Sequence, residues 1–189
     1  MEQKTQTMSN RAKNVIYIVE HCQAGTGTLE SMKKFWKETL GWKSPGYYAW
    51  VDFDGTTHYL TDINTITNGV AGFNALCIHI CYRGGIENIG TAKKPIYKGK
   101  DTRTQAQKDA MLKIKLNILD WLEDNGADMT KVMILGHYQF SDDKNKNGAI
   151  ESWERIKECP CYDSYAENSY LMQKYNPLYS KLKLPKNRK

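Results

Sequence analysis

Short apolar runs that alternate with amphipathic helical patterns constrain the fold of this chain most. The runs at 14–19, 76–82 and 131–135 are rich in aliphatic and β-branched residues, which is typical of buried strands. Apolar residues at helical spacing predict helices over 28–40 and over about 101–126. Because strands interleave with helices, the sequence predicts an α/β fold in which helices flank a central mixed β-sheet.

A hairpin is predicted between the first helix and the second apolar run. Two extended segments, Tyr47–Phe53 and Thr56–Leu60, flank Asp54-Gly55, which is the commonest two-residue hairpin signal. Tyr47 therefore opens a hairpin strand.

The length and charge of the chain indicate one domain with charged ends. A chain of 189 residues is long enough for one compact domain, and no stretch approaches the ~18 apolar residues of a membrane span. We divide it into a polar N-terminal segment (1–13), a domain (14–163) and a basic C-terminal tail (164–189) with six basic residues and one acidic residue. The tail is either a solvated terminus or an attractor of an anionic polymer or membrane surface.

The N-terminal segment and the cysteines indicate where the protein is made. Residues 1–13 are polar and lack the apolar centre of a secretory signal, and five cysteines form an odd number that fits a reducing compartment. We therefore expect a cytoplasmic protein, with release by another factor if its substrate lies outside. We also expect a monomer without a nucleic-acid partner.

Three residues have the chemistry and placement of zinc ligands. His21 and His137 each come at the end of a predicted strand, and Cys159 lies in a following loop. Catalytic zinc sites commonly use three such nitrogen and sulfur ligands and leave a fourth position for water. The order and spacing of these ligands therefore predict a zinc hydrolase.

Further motifs occur in a characteristic order along most of the chain. They are His21-Cys22, Gly41-Trp42, Gly46-Tyr47, Asp54-Gly55, Gly72-Phe73-Asn74, Leu135-Gly136-His137 and Lys157-Glu158-Cys159-Pro160. In this order the chain resembles the zinc-dependent N-acetylmuramoyl-L-alanine amidases, a family that includes short phage lysozyme-type amidases and peptidoglycan recognition proteins.

The resemblance implies a fold, an activity and a set of roles. It implies that His21, His137 and Cys159 bind Zn²⁺ and that Tyr47 and Lys157 are catalytic. The implied activity is hydrolysis of the amide bond between the lactyl group of N-acetylmuramic acid and L-alanine, with peptidoglycan or a muropeptide as the partner. A phage or prophage endolysin fits best; the alternatives are a cytoplasmic muropeptide-recycling amidase and a non-catalytic peptidoglycan-binding protein.

Several residues near the ligands allow other interpretations. Glu20, where the family usually has an apolar residue, either tunes His21 or is solvated. Cys161 is a rival sulfur ligand, but Cys159 has the lysine at the family's spacing. Three residues on one face of the strand at 76–82 span ~13 Å and cannot share one ion, so we expect them to be core or helix-facing residues: Cys77, His79 and Cys81.

A calcium-loop pattern lies between His137 and Cys159. Its oxygen donors would be Asp143, Asn145, Asn147, the carbonyl of Ala149, Glu151 and a bidentate Glu154. No helix is predicted before the loop, so it is not a paired EF-hand. The pattern predicts either a structural Ca²⁺ or an Asn/Gly-rich turn that needs no ion.

Overall fold

A computed structural model describes residues 11–179, 182, 184 and 185. Five strands form the main sheet: β1 (Tyr17–Cys22), β2 (Ala49–Val51), β3 (Thr57–Tyr59), β4 (Cys77–Tyr82) and β7 (Met133–Gly136). Two more strands, β5 (Ile86–Asn88) and β6 (Tyr97–Gly99), form a separate hairpin. The helices are α1 (Leu29–Lys34), α2 (Gln105–Asp124) and α3 (Ser164–Gln173), and α1 continues into a π-helical segment, Phe35–Thr39.

The main sheet is mixed, with the strand order β3-β2-β4-β1-β7. Strands β2, β4, β1 and β7 run parallel, whereas β3 pairs with β2 in the antiparallel direction. The predicted α/β class with a central mixed sheet flanked by helices is confirmed. Strand β1 is central, and its register places Glu20 opposite Gly136 of β7 and His21 opposite Cys81 of β4.

The two faces of the sheet carry different side chains because residues alternate along each strand. On one face, aliphatic residues of β1 and β4 join α2 in the main hydrophobic core: Ile18, Ile78, Ile80, Ile114 and Ile118. On the other face, Cys81 packs with Leu29, Met32 and Trp36 of the α1 region in a smaller cluster. His21 shares the face of Cys81, so α1 and not α2 borders the candidate site.

Local sequence signals explain the ends of the long helix and the hairpin. Thr104 and Gln107 form a capping box that starts α2, because each side chain binds the backbone N–H of the other residue. In the β2–β3 connection, Gly55 has φ +86°, and its N–H donates to the carbonyl of Asp52 at 3.0 Å. The predicted hairpin is confirmed; its turn is a three-residue loop that ends on a left-handed glycine.

The structure describes part of each chain end. Residues 1–10 of the expected N-terminal segment lie outside the described residues, but Arg11 is buried and its guanidinium donates to the carbonyls of Ile63 and Cys77. The expected tail begins with α3, which packs against β7 and buries Asn168 and Met172. Most of the tail's basic residues, Lys181, Lys183 and 186–189, lie outside the described residues.

None of the helices in the described part of the chain has both the length and the apolar character that crossing a membrane requires.

Candidate metal centre

The two candidate histidine ligands meet because β1 and β7 are neighbours. His21 is the fifth residue of β1, and His137 follows the last residue of β7, which lies opposite Glu20. Their ring centroids are 4.8 Å apart. The sequence predicted the first strand at 14–19, whereas β1 spans Tyr17–Cys22. His21 therefore lies inside the strand, and the sheet fixes the position of its ring.

The candidate cysteine joins them from the loop before α3. Cys159 Sγ lies 3.6 Å from Nδ1 of His21 and accepts a hydrogen bond from the backbone N–H of Cys22 at 3.2 Å. The Cys159 carbonyl accepts from the N–H of Tyr138 at 2.9 Å, which ties the loop to the segment that carries His137. One ligand atom from each of His21, His137 and Cys159 lies within 4.8 Å of the others, and within the described residues no other group of three His, Cys, Asp or Glu side chains is so gathered.

The donor set fits a metal ion in both chemistry and protonation. Burial, followed by the charges of His137, His79 and Lys157, lowers the pKa of His21 well below 6.5. Burial and the Lys157 ammonium lower the pKa of His137 to about 4. Both imidazoles are therefore neutral at pH 7 and keep a lone pair for coordination. These three residues can hold a metal ion.

Tyr47 lies beside the ligand set, in the segment that leads into β2. Its ring centroid is 5.0 Å from that of His21 and 5.4 Å from that of Trp36. Burial raises the pKa of the Tyr47 hydroxyl well above 10, and nearby thiols, Cys81 first, raise it further. The phenol is therefore protonated at neutral pH and can donate a hydrogen bond.

Lys157 and His137 line one cleft of about 440 Å³ next to the ligand set. The Lys157 side chain is exposed to solvent. The remaining wall contains apolar, glycine and uncharged polar residues: Trp42, Asn68, Gly69, Val70, Ala71, Asn74, Phe140, Ser141 and Ile156. The cleft thus brings a cationic side chain and a candidate metal ligand to the same space.

Cys161, the rival sulfur, faces away from the gathered ligand atoms. Its Sγ lies 3.8 Å from Sγ of Cys22 and donates to the carbonyl of Gly85 at 3.2 Å. The preference for Cys159 over Cys161 therefore agrees with the geometry.

The expectation that Cys77, His79 and Cys81 are core or helix-facing residues is confirmed, because all three are fully buried. All three lie on the face of the candidate site, and Nδ1 of His79 lies 3.1 Å from Nε2 of His21. Sequence reasoning missed this contact because it depends on β1 and β4 being neighbours. The signal in the sequence was one histidine in or next to each of two apolar runs, His79 in the run at 76–82 and His21 just after the run at 14–19.

Glu20 also differs from both interpretations made from the sequence. It is fully buried and its carboxylate accepts a hydrogen bond from Lys115 Nζ at 2.8 Å, on the face opposite His21. It is neither solvated nor in contact with the ligand that follows it.

The calcium-loop residues form a turn closed by their own hydrogen bonds. The Asp143 carboxylate accepts from the N–H of Gly148 at 2.8 Å, and Gly148 has φ +89°. The Glu154 carboxylate accepts from the backbone N–H groups of Lys144, Asn145 and Glu151. The Asn145 and Asn147 side-chain oxygens accept from the N–H groups of Asn147 and Ala149, and the Glu151 carboxylate accepts from the Asn145 amide. The carboxylates of the first and last loop residues, Asp143 and Glu154, thus both accept hydrogen bonds from N–H groups of the loop.

The fold is similar to that of several solved peptidoglycan-related proteins. N-acetylmuramoyl-L-alanine amidase LysC from Clostridium intestinale is 16% identical, with TM-score 0.56 over 85% of this chain and 87% of that protein. The Ph2119 endolysin of a Thermus scotoductus bacteriophage is 20% identical, with TM-score 0.55 over 85% and 84%. Drosophila PGRP-LB is 18% identical, with TM-score 0.55 over 82% and 79%. The chain has the fold of amidases, phage endolysins and peptidoglycan recognition proteins, which confirms the resemblance seen in the sequence.

Two proteins are related to the chain by sequence. An uncharacterized protein of Haemophilus influenzae is 30% identical over 113 residues, which are 60% of this chain and 85% of that protein. The endolysin of Klebsiella phage KP32 is 24% identical over 116 residues, 60% of this chain and 74% of the endolysin. The chain therefore belongs to one family with the Haemophilus protein. No protein-family model matches the chain.

Proposed function

We propose that this protein is a zinc-dependent N-acetylmuramoyl-L-alanine amidase. Its reaction would be hydrolysis of the amide bond between the lactyl group of N-acetylmuramic acid and L-alanine in peptidoglycan. The observation that carries the proposal is the convergence of His21, His137 and Cys159 beside Tyr47 and the Lys157 cleft. The amidase-type fold supports the same conclusion.

The donor set favours zinc among the common metal ions. Two imidazoles and one thiolate are ligands that Zn²⁺ accepts, whereas Ca²⁺ and Mg²⁺ prefer oxygen. When bound, Zn²⁺ lowers the pKa of a water ligand towards ~7 and polarises the scissile carbonyl. The neutral state of His21 and His137 means that protons compete little with the ion at pH 7.

Tyr47 and Lys157 would act on the substrate amide. The protonated Tyr47 hydroxyl is a hydrogen-bond donor, and the Lys157 ammonium is a cationic donor at the cleft. Both types of donor stabilise negative charge that develops on the carbonyl oxygen, and each such donor contributes ~3 to 4 kcal/mol to transition-state stabilisation. The Tyr47 hydroxyl would also orient the attacking water by hydrogen bonding.

The cleft suits a peptidoglycan fragment. Trp42, Phe140 and Ile156 offer apolar contacts, while Asn68 and Asn74 offer polar groups to peptide and sugar. A Drosophila PGRP-LB mutant was solved in complex with tracheal cytotoxin, which gives one fold relative with a bound ligand. We infer that peptidoglycan or a muropeptide occupies the cleft, and we propose that the protein acts as a monomer.

The endolysin role rests on the relatives. The Klebsiella phage KP32 protein and the Ph2119 protein are both endolysins, and they support action on the cell wall after release from the cytoplasm. A cytoplasmic muropeptide-recycling amidase would use the same site on soluble fragments. A peptidoglycan-binding protein without catalysis would not need Tyr47 and Lys157 at the ligand set.

We also propose that the 143–154 loop binds Ca²⁺ in a structural role. The carboxylates of Asp143 and Glu154, at the two ends of the loop, already contact backbone N–H groups of the loop. The loop is followed directly by the segment that carries Lys157 and Cys159. Calorimetric titration of the metal-stripped protein tests this proposal, with Mg²⁺ as the comparison ion. The absence of calcium binding at millimolar concentration, or equal binding after Glu154→Gln, would leave the ion-free turn.

Digestion of purified sacculi tests the amidase itself. The metal-stripped protein is given Zn²⁺, Ca²⁺ or both, and newly exposed L-alanine amino termini are measured. Release that requires Zn²⁺ is the expected result, and release from soluble muropeptides only would favour the recycling enzyme. No release from either substrate would contradict the amidase and leave the binding protein.

A further inference from the structure

His79 is a polar side chain outside the proposed catalytic set, and its ring contacts the proposed metal ligand His21. It lies on β4, opposite Val19 of β1, and thus two positions from the His21–Cys81 pair on the same face. Its Nδ1 lies 3.1 Å from His21 Nε2, and the two rings are 5.2 Å apart at an angle of 63°. His21 and His79 are 1% and 0% exposed, so water does not compete for this contact.

The two nitrogens of His21 face different partners. Nδ1 lies 3.6 Å from Cys159 Sγ, on the side of the gathered ligand atoms, whereas Nε2 faces His79. A ligand nitrogen must carry a lone pair, so coordination through Nδ1 places the His21 proton on Nε2. That N–H then donates to Nδ1 of His79, which places the proton of His79 on its own Nε2.

The residues around position 79 leave space for an imidazole ring. A Cβ atom at Gly69 would lie 2.3 Å from Cγ and Nδ1 of the His79 ring, so only glycine at position 69 leaves room for it. Nε2 of His79 is buried without a hydrogen-bond partner among the described residues. An apolar side chain at position 79 would fill the same space without burying an unpaired nitrogen. The feature that an imidazole has and an apolar side chain lacks is the hydrogen bond to His21.

We propose that His79 is a positioning residue for the metal centre, which fixes the tautomer and ring orientation of His21 so that Nδ1 faces the ion. This inference rests on the proposed function, because it assumes that His21 is a metal ligand. Partners that bind the second nitrogen of a metal-binding histidine typically change metal affinity by 10- to 100-fold when they are replaced. Gly69 supports the same role, because the absence of a side chain at position 69 leaves room for the His79 ring.

The test measures zinc affinity in the absence of substrate, by competition with a chromophoric chelator. His79→Leu removes the acceptor, whereas His79→Asn keeps an acceptor near the position of Nδ1. We expect His79→Leu to weaken zinc binding 10- to 100-fold and His79→Asn to restore most of it. We also expect the Co²⁺-substituted leucine variant to show an altered thiolate and ligand-field spectrum.

Gly69→Ala supplies a second variant that leaves His79 in place and displaces its ring. It should weaken zinc binding as well, and circular dichroism and thermal melting of the metal-free proteins show whether each variant is folded. Folded His79→Leu protein with wild-type zinc affinity and an unchanged Co²⁺ spectrum would overturn the proposal. Equal losses in the leucine and asparagine variants would do the same, because they would indicate a packing role only.

The same experiment separates this inference from the proposed function. If the wild-type protein binds zinc and His79→Leu does not change the zinc affinity, the amidase proposal stands and the positioning role does not. If His79→Leu weakens zinc binding but the wild-type protein hydrolyses neither sacculi nor muropeptides, the positioning role stands and the amidase proposal does not. Wild-type protein that binds no zinc overturns both.

Discussion

Glu20 and His21 are consecutive residues of β1, and their side chains serve opposite faces of the sheet. His21 points to Cys159, with 3.6 Å between Nδ1 and Sγ, while the Glu20 carboxylate accepts from Lys115 Nζ of α2 and from Asn168 Nδ2 of α3, each at 2.8 Å. Ser164 of α3 also donates to Glu20. The strand that carries the candidate ligand is therefore anchored from behind by a buried ion pair.

Removing one partner of this buried pair should destabilise the fold strongly. Lys115→Met leaves the fully buried Glu20 without its cation, and such losses typically cost 3–5 kcal/mol of unfolding free energy. Urea unfolding measures the loss, and Lys113→Met, at an exposed position of the same helix, should change little. Combining Lys115→Met with Glu20→Leu should recover much of the loss, because no charge is then buried alone.

The two neighbouring cysteines should differ sharply in metal binding. Cys159→Ser removes a gathered ligand atom and should abolish tight zinc binding, whereas Cys161→Ser should keep it, because Cys161 contacts Cys22 and Gly85 instead. Inductively coupled plasma mass spectrometry of the purified variants gives the zinc content. Zinc retained by Cys159→Ser and lost from Cys161→Ser would reverse the assignment of the sulfur ligand.

Lys157 should matter for turnover and not for metal content. Lys157→Met removes the cation at the cleft and is expected to lower kcat by about 10²–10³-fold, as loss of one donor to a developing oxyanion does. Release of L-alanine amino termini from sacculi measures the rate. Lys98→Met, an equal charge change on the exposed β6 strand, should leave kcat near the wild-type value. If both variants lose activity equally, general attraction of the anionic wall and not local chemistry explains the effect.

Glu167 should contribute stability that depends on pH. Its carboxylate accepts two hydrogen bonds from Arg103, at 2.8 and 2.7 Å, and these bonds lower the pKa of Glu167 below 4.5. A lowered pKa in the folded state means that the contribution is present above pH 4.5 and is lost as the pH falls through the folded value. Glu167→Gln should therefore cost about 1 kcal/mol at pH 7, since the pair is partly exposed.

Urea unfolding of the wild type and of Glu167→Gln at pH 7, 5 and 3.5 checks this expectation. The difference between the two proteins should shrink towards zero at the lowest pH. A difference that stays constant over this range would mean that the carboxylate charge contributes nothing, and that the side chain acts through packing alone.

Much of the fold and of the ligand set was accessible from the sequence. The runs that became β1, β4 and β7 and the pattern of α2 are local, because burial of one face imposes a period on neighbouring residues. The pairing of His21, His137 and Cys159 followed from the order of motifs, and the structure gathers their ligand atoms. The zinc ion and the roles of Tyr47 and Lys157 remain predictions.

Other features had no local signal. The β5–β6 hairpin lies in a lysine- and glycine-rich stretch without clear alternation, and α3 lies in a segment that was expected to be either a solvated terminus or an attractor of an anionic surface. Asn168 and Met172 of α3 are buried because the helix packs against β7, and Asn168 contacts Glu20 and Lys115 there; sequence periodicity alone did not place the helix at that position.

The sequence by itself determined the segments that form β1, β4, β7 and α2, and which residue types can bind a metal ion. Only the tertiary structure decided which neighbours those residues have. Strand order and register placed His79 against His21, and the packing of α2 on the sheet placed Lys115 against Glu20. Such contacts join residues 58 and 95 positions apart, so they depend on how the sheet is assembled and not on any local pattern.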